Sequence, residues 1–333
     1  MVIGLAAVAF VVGALVSLGT SWVLVSRLER VGERLGLSEA LLGLLAALAA
    51  DTPEITAAVT ALTHHQLAVG SGVVIGSNAF NLAALLGLGA VVAGRIDLHR
   101  KVVALGGAVA LWVALVCLVS VLGVVDPVFG LALVLVVLIP YVGVLAAHGK
   151  DFRRLPIPRQ WVTWLASAVA EEEVELADAI RPERGRPRDA FEAAGALVVV
   201  VAASVTMERG ASALGTHYAV AGIVLGGLVL AAVTSMPNAV AAVYLAAKGR
   251  GVAALSTALN SNALNVALGL LLPAAFIGLA KPSGEDTLVA AWYVGLTALT
   301  LTLAYKGRGL RRWAGWVIIV GYGAFAVSLL VVS

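Results

Sequence analysis

Charge and aromatic residues are scarce in this chain, and cysteine nearly so. Of 333 residues, 12% are charged, 6% are aromatic and one, Cys117, is a cysteine. A single cysteine excludes an internal disulfide and a thiolate metal cluster. It sits among valine and leucine, the setting of an inert thiol. Little charge beside 61% hydrophobic residues excludes an ordinary soluble domain. No Walker loop, nucleotide-binding segment or phosphorylation-aspartate motif is present, which argues against direct drive by ATP. No resident cofactor and no nucleic-acid partner is implied. Strand-like alternation is missing too, and helices satisfy their own backbone groups in lipid, so the chain reads as an all-α polytopic membrane protein. No basic region precedes the first apolar run, which argues against a cleaved signal peptide.

What is present is a set of long apolar runs. A membrane span needs about 20 mostly apolar residues. Ten stretches qualify, near 2–25, 38–63, 67–93, 102–124, 127–147, 192–207, 217–247, 252–279, 287–305 and 313–332. With the amino terminus outside, the connecting segments that face the cytoplasm hold 20 of the 22 lysines and arginines; only Arg209 and Lys281 fall outside. Positive residues collect on the cytoplasmic side of membranes, which sets the expected orientation, with both termini extracytoplasmic and the chain integral to a lipid bilayer, expected to be the cell membrane. Five spans precede the loop at 148–190 and five follow it. Because five is odd, residues 1–147 and 191–333 must enter the membrane in opposite directions. Inverted five-helix repeats are an architecture of carriers that work by alternating access.

The two halves also share sequence. Residues 41–83 and 225–267 align without a gap with 13 of 43 positions identical, including Pro53 with Pro237 and Ser77-Asn78-Ala79 with Ser261-Asn262-Ala263. Paired, proline-broken polar segments within apolar spans point to the substrate site of a secondary transporter.

Away from span ends, the ionisable residues reduce to Asp51 and Glu54. Each would cost about 2.5–3.5 kcal/mol or more facing lipid, so both must face protein or a wet cavity. Three residues apart on a helix, they share a side. Pro53 and Pro237 are helix-breaking and deprive the carbonyls of Ala49 and Val233 of their usual donors. Ser77 with Asn81, and Ser261 with Asn265, lie one turn apart on single faces, while Thr234, Ser235 and Asn238 cluster on the seventh span. Carboxylate, amide, hydroxyl and backbone oxygens suit a hard cation such as Ca²⁺, which takes 6–8 oxygens at about 2.3–2.6 Å. Nothing in the set favours zinc, copper or iron. Ser71, Ser256 and Thr257 read as helix-packing residues.

Gly76-Ser77-Asn78-Ala79-Phe80-Asn81 after a Pro-Glu span resembles the first signature repeat of the cation/calcium exchanger superfamily. Thr234-Ser235-Met236-Pro237-Asn238 with Asn260-Ser261-Asn262-Ala263-Leu264-Asn265 resembles the second. The resemblance implies an antiporter of Ca²⁺ against Na⁺ or H⁺, with spans 2, 3, 7 and 8 as the ion-binding core and spans 1 and 6 sliding past them. It also implies Glu54, Ser77, Asn81, Thr234, Ser235 and Ser261 as ligands, with backbone carbonyls near Ala47 and Ala231. Four positions depart from the pattern: Asn238 replaces an acid, Ala50-Asp51 replaces a Thr-Ser pair, and Asn260 replaces a glycine. Asn265 stands where some members carry an acid. The count of two acids is kept, but both come from one helix, so Asp51 is expected to stand in for the missing partner of Glu54. A monovalent cation/proton antiporter could use the same site. From other classes, Asp51 and Glu54 could form an intramembrane acid–base pair, or the spans a passive cation channel.

Two further features carry blander readings. His64 and His65 end a span in a short outer turn, and Glu171, Glu172, Glu173, Glu175 and Asp178 form a solvated helix face beyond Trp161 and Trp164 at the membrane interface.

Overall fold

The computed structural model describes residues 3–146, 158–179 and 185–333. In chain order, α1 (Ile3–Arg34) leads to a broken pair, α2 (Glu39–Ala50) and α3 (Thr52–Thr63). Next come α4 (Leu67–Asn81), a π-helical stretch (Leu82–Leu88) and α5 (Gly89–Ala93), then β1 (Arg95–Asp97), α6 (Arg100–Val121) and α7 (Pro127–Ala146). After α8 (Arg159–Ala179), the second half opens on α9 (Pro187–His217). It continues through α10 (Gly222–Val224), a π stretch (Leu225–Leu230), α11 (Ala231–Thr234), α12 (Met236–Ala247) and α13 (Gly251–Leu264). A last π stretch (Asn265–Leu271) precedes α14 (Leu272–Ile277), α15 (Gly284–Gly307), β2 (Gly309–Arg311) and α16 (Arg312–Val332). Among the described residues, eight helices are long and apolar enough to cross a membrane, or ten when each bent pair counts as one span.

The halves match in detail. α2–α3 and the α10–α12 segment each bend by 50°, at Asp51 and Ser235. π stretches follow Asn81 and begin at Asn265, widening the helices beside the polar residues. The two spans built on α4 and α13 have hydropathic windows 89% and 72% buried, against 22% for α1 and α16, so they form the centre and the latter the rim.

Several sequence expectations change. The sixth span, read as 192–207, is a helix of 31 residues from Pro187 to His217. The first helix runs on to Arg34 rather than ending near residue 25. The 148–190 segment contains α8, whose Ala168 and Val169 are buried and whose Ser167 accepts from Lys101 Nζ at 2.8 Å. The acidic side chains from Glu171 to Asp178 lie outside the described side chains. A short antiparallel ribbon pairs β1 with β2, burying Ile96 against Leu310. Cys117 is buried and free.

Two glycine contacts fix the close approaches. α1 and α9 cross where a Cβ on Gly13 would sit 2.7 Å from the Met207 nitrogen, and Ser17 and Ser204 hydroxyls meet nearby at 2.8 Å. At one end Arg27 bonds Asp189 at 3.1 Å, tying the two helices into one blade. In the core, a Cβ on Gly76 would overlap the Gly227 backbone, so α4 and the π stretch at 225–230 touch main chain to main chain. Small residues permit such contact between membrane helices.

Candidate cation-binding site

The broken pairs cross at the centre of the molecule. Pro53 and Pro237 fall in the first turns of α3 and α12, where a missing N–H removes no helical bond. The breaks are therefore centred on Asp51 and Ser235 rather than on the prolines. The sequence placed Asp51 and Glu54 on one rod; the structure puts Asp51 at the joint and Glu54 in the first turn of α3. Glu54 thus lies at a helix amino terminus, whose dipole favours negative charge, while Asp51 sits between the end of α2 and the start of α3.

Asp51 and Glu54 are fully buried. Asp51 Oδ1 accepts from Ser261 Oγ at 2.5 Å and from Asn238 Nδ2 at 2.6 Å. Glu54 Oε2 accepts from Asn265 Nδ2, and Ser235 faces the same carboxylate without closing a hydrogen bond. Asp51 is thereby held by a hydroxyl and an amide of the second half, and Glu54 by an amide of it. Asn81 Nδ2 completes the ring, donating to Ser261 Oγ at 3.2 Å and to Asn262 Oδ1 at 3.1 Å.

Six buried oxygens of this cluster have no hydrogen-bond partner: Asp51 Oδ2, Glu54 Oε1, Ser77 Oγ, Asn81 Oδ1, Ser235 Oγ and Asn265 Oδ1. Native interiors leave few polar atoms unpaired. Here they gather around two carboxylates, and all are oxygen, the donor set of a hard cation. Among the described residues no group of three His, Cys, Asp or Glu is close enough to hold a metal, so amides and hydroxyls must supply the remaining ligands.

Thr234 is placed differently, since its hydroxyl donates back to Leu230 O at 2.9 Å and Ala231 O at 3.3 Å. Ala231 O also takes the Ser235 N–H at 3.1 Å, and Ala47 O takes the Asp51 N–H at 2.8 Å.

Asn78 and Asn262 have no role that their spacing in the sequence assigns. Each donates its amide to the other's backbone carbonyl at 3.0 Å. Their own amide oxygens accept from Asn265 at 3.3 Å and Asn81 at 3.1 Å. These bonds engage the NH₂ groups of Asn81 and Asn265 and leave their carbonyl oxygens to the site. The clue was the identity of the Ser-Asn-Ala triplets in both halves.

A half-enclosed cavity of about 260 Å³ reaches the cluster at Asn238 and Pro237. Its walls are Gly43, Ala47 and Ala50 of α2, Tyr244 of α12 and Thr257 of α13, with α1 across the front. The cavity lies on the face where α1 and α12 end and α2 and α13 begin. On the opposite side of the cluster, α4 and the π stretch at 225–230 pack main chain to main chain at Gly76 and Gly227.

The sequence profile described as sodium/calcium exchanger protein matches residues 5–148 and 191–331. The chain belongs to that family. Its fold is shared by solved structures of distant sequence. The H⁺/Ca²⁺ exchanger CAX is 12% identical with TM-score 0.70, over 98% of this chain and 86% of that one. Native YfkE is 17% identical with TM-score 0.63, over 98% and 96%. The sodium–calcium exchanger NCX_Mj soaked with Na⁺ and Sr²⁺ is 18% identical with TM-score 0.62, over 98% and 99%. No curated protein sequence matches this chain.

Proposed function

We propose that this exchanger family member is a secondary-active antiporter that carries Ca²⁺ against Na⁺ or H⁺ by alternating access, with the Asp51–Glu54 cluster as its ion site. The observation that carries this reading is the group of six unpartnered buried oxygens, two of them carboxylate, where two mirrored broken helices cross. Two negative charges balance one divalent ion. The remaining oxygens replace its water shell. The neighbours named as Na⁺/Ca²⁺ and H⁺/Ca²⁺ exchangers support calcium as cargo and both counter-ions as candidates.

The distribution of lysine and arginine supports placing both termini outside and the 148–190 segment in the cytoplasm. In that frame the cavity faces the cytoplasm and the glycine contact lies on the outer side of the cluster. Asp51 and Glu54 sit on one chain segment, each hydrogen-bonded by the other half, unlike two acids opposed across a scissile bond. That arrangement disfavours the intramembrane enzyme.

Purified full-length protein in proteoliposomes, with Ca²⁺ inside and an imposed Na⁺ or H⁺ gradient, tests the reading. Obligate counter-transport of Ca²⁺ supports it. Exchange confined to monovalent ions moves the cargo to Na⁺ and H⁺, and a rapid leak independent of any gradient makes the protein a channel.

A further inference from the structure

α1 adds a third carboxylate, in the wall of the cavity. Ser21, Val25 and Glu29 stand four residues apart on the helix face that lines the 260 Å³ cavity. Glu29 is half-buried and is the one charged residue among those lining it. The neighbouring arginines do not neutralise it: Arg27 pairs with Asp189 at 3.1 Å and Glu192 at 2.8 Å, and Arg30 approaches Asp189 at 3.9 Å. Lys248, near the rim, is held over the Tyr244 ring at 5.7 Å. Among the described residues Glu29 has no hydrogen bond or ion pair, although its helix has basic neighbours on the other side. One turn pair deeper, Ser21 is fully buried and its Oγ has no partner in the same cavity. The floor beyond is Asn238, whose amide bonds Asp51.

We infer that Glu29 and Ser21 form an entrance site for hard cations, capturing Ca²⁺ or Na⁺ at the cavity mouth and passing it to the Asp51–Glu54 cluster. This rests on the antiporter reading above. The cavity has room for several waters, so the ion arrives hydrated and needs charge rather than a complete ligand cage. A lone carboxylate in a cleft with apolar walls focuses the field and raises the local cation concentration. The blade geometry places this group on the helix pair that flanks the cavity rather than in the polar core. Glu29 therefore acts on capture from one face and leaves the central ligands untouched.

The test uses full-length protein in membrane vesicles of both orientations, with Ca²⁺ as the probe. Glu29→Gln raises KM for Ca²⁺ at the cavity face by about threefold to tenfold, by analogy with the rate effects of focused fields. It leaves kcat and the KM at the opposite face unchanged, and flattens the dependence of KM on ionic strength. Glu29→Asp restores most of the affinity, and Ser21→Ala gives a smaller rise at the same face. A Glu29→Gln KM equal to wild type, an equal change at both faces, or a loss of kcat alone overturns the entrance site while leaving the antiporter reading in place. Wild-type vesicles without Ca²⁺ counter-transport overturn both.

Discussion

The two halves of this protein agree in backbone and differ in charge. Both broken spans bend by 50°, and Asn78 and Asn262 exchange identical hydrogen bonds across the pseudo-twofold axis. Yet the positions that carry Asp51 and Glu54 in the first half carry Ser235 and Asn238 in the second. Scaffold symmetry is held by prolines, glycines and amides. The negative charge is free to gather in one half because both halves meet at the same point.

A second contrast separates the two faces. Gly76 lies against Gly227, whereas the repeat mates of those residues are Asn260 and Gly43. Asn260 carries bulk and accepts the Tyr141 hydroxyl at 3.0 Å, and Gly43 lines the cavity. The glycine pair packs main chain to main chain on one face, and its repeat mates carry a side chain and a cavity wall on the other.

The comparison of charge breaks most severely if either acid is removed. Asp51→Asn and Glu54→Gln should each cut Ca²⁺ flux in proteoliposomes by about a hundredfold or more, since interactions with a charged group are worth about 1.5–3 kcal/mol each and several are lost together. Wild-type flux in both variants would remove the carboxylates from the site. The comparison of faces breaks next. Gly76→Ala forces a methyl group into the Gly227 backbone and should destabilise the protein by about 1–3 kcal/mol, as overpacking does. Gly4→Ala, with nothing near the added carbon, should unfold in detergent like the wild type. A matched thermal shift in both would show that the glycine contact is not tight.

Reciprocity between halves predicts a smaller effect. Asn78→Ala and Asn262→Ala should destabilise to a similar degree, and the double variant should fall short of their sum by about 0.5–3 kcal/mol, the range for residues in one network. Additive losses in thermal unfolding would mean that the two amides act separately. The gentlest change moves charge without removing it. Asp51→Ser with Asn238→Glu keeps two acids but puts one in each half; Ca²⁺ exchange should persist with a displaced pH profile, and complete loss would show that the acids must share a helix.

Much of this was legible in sequence because lipid penalises unpaired polarity. Spans, inverted repeats and the two acids each announce themselves as departures from an apolar background. Contacts between halves were not legible in the same way. That Asn238 would bond Asp51, or Asn265 Glu54, depends on a crossing angle set by glycines far along the chain. Glu29 escaped notice because apolar runs were ended at residue 25, while α1 holds its helical geometry to Arg34. The commitment of the Thr234 hydroxyl to its own helix is a rotamer choice, invisible to spacing.

The mutual bonds of Asn78 and Asn262 also bear on how the molecule is assembled. Either half alone would insert with two asparagine side chains and a main-chain carbonyl turned toward nothing that could pair them. Such an orphan should be sticky and short-lived in the bilayer. Supplied as two separate polypeptides, the halves should recognise one another through these amides, so co-expression ought to rescue what neither fragment achieves by itself.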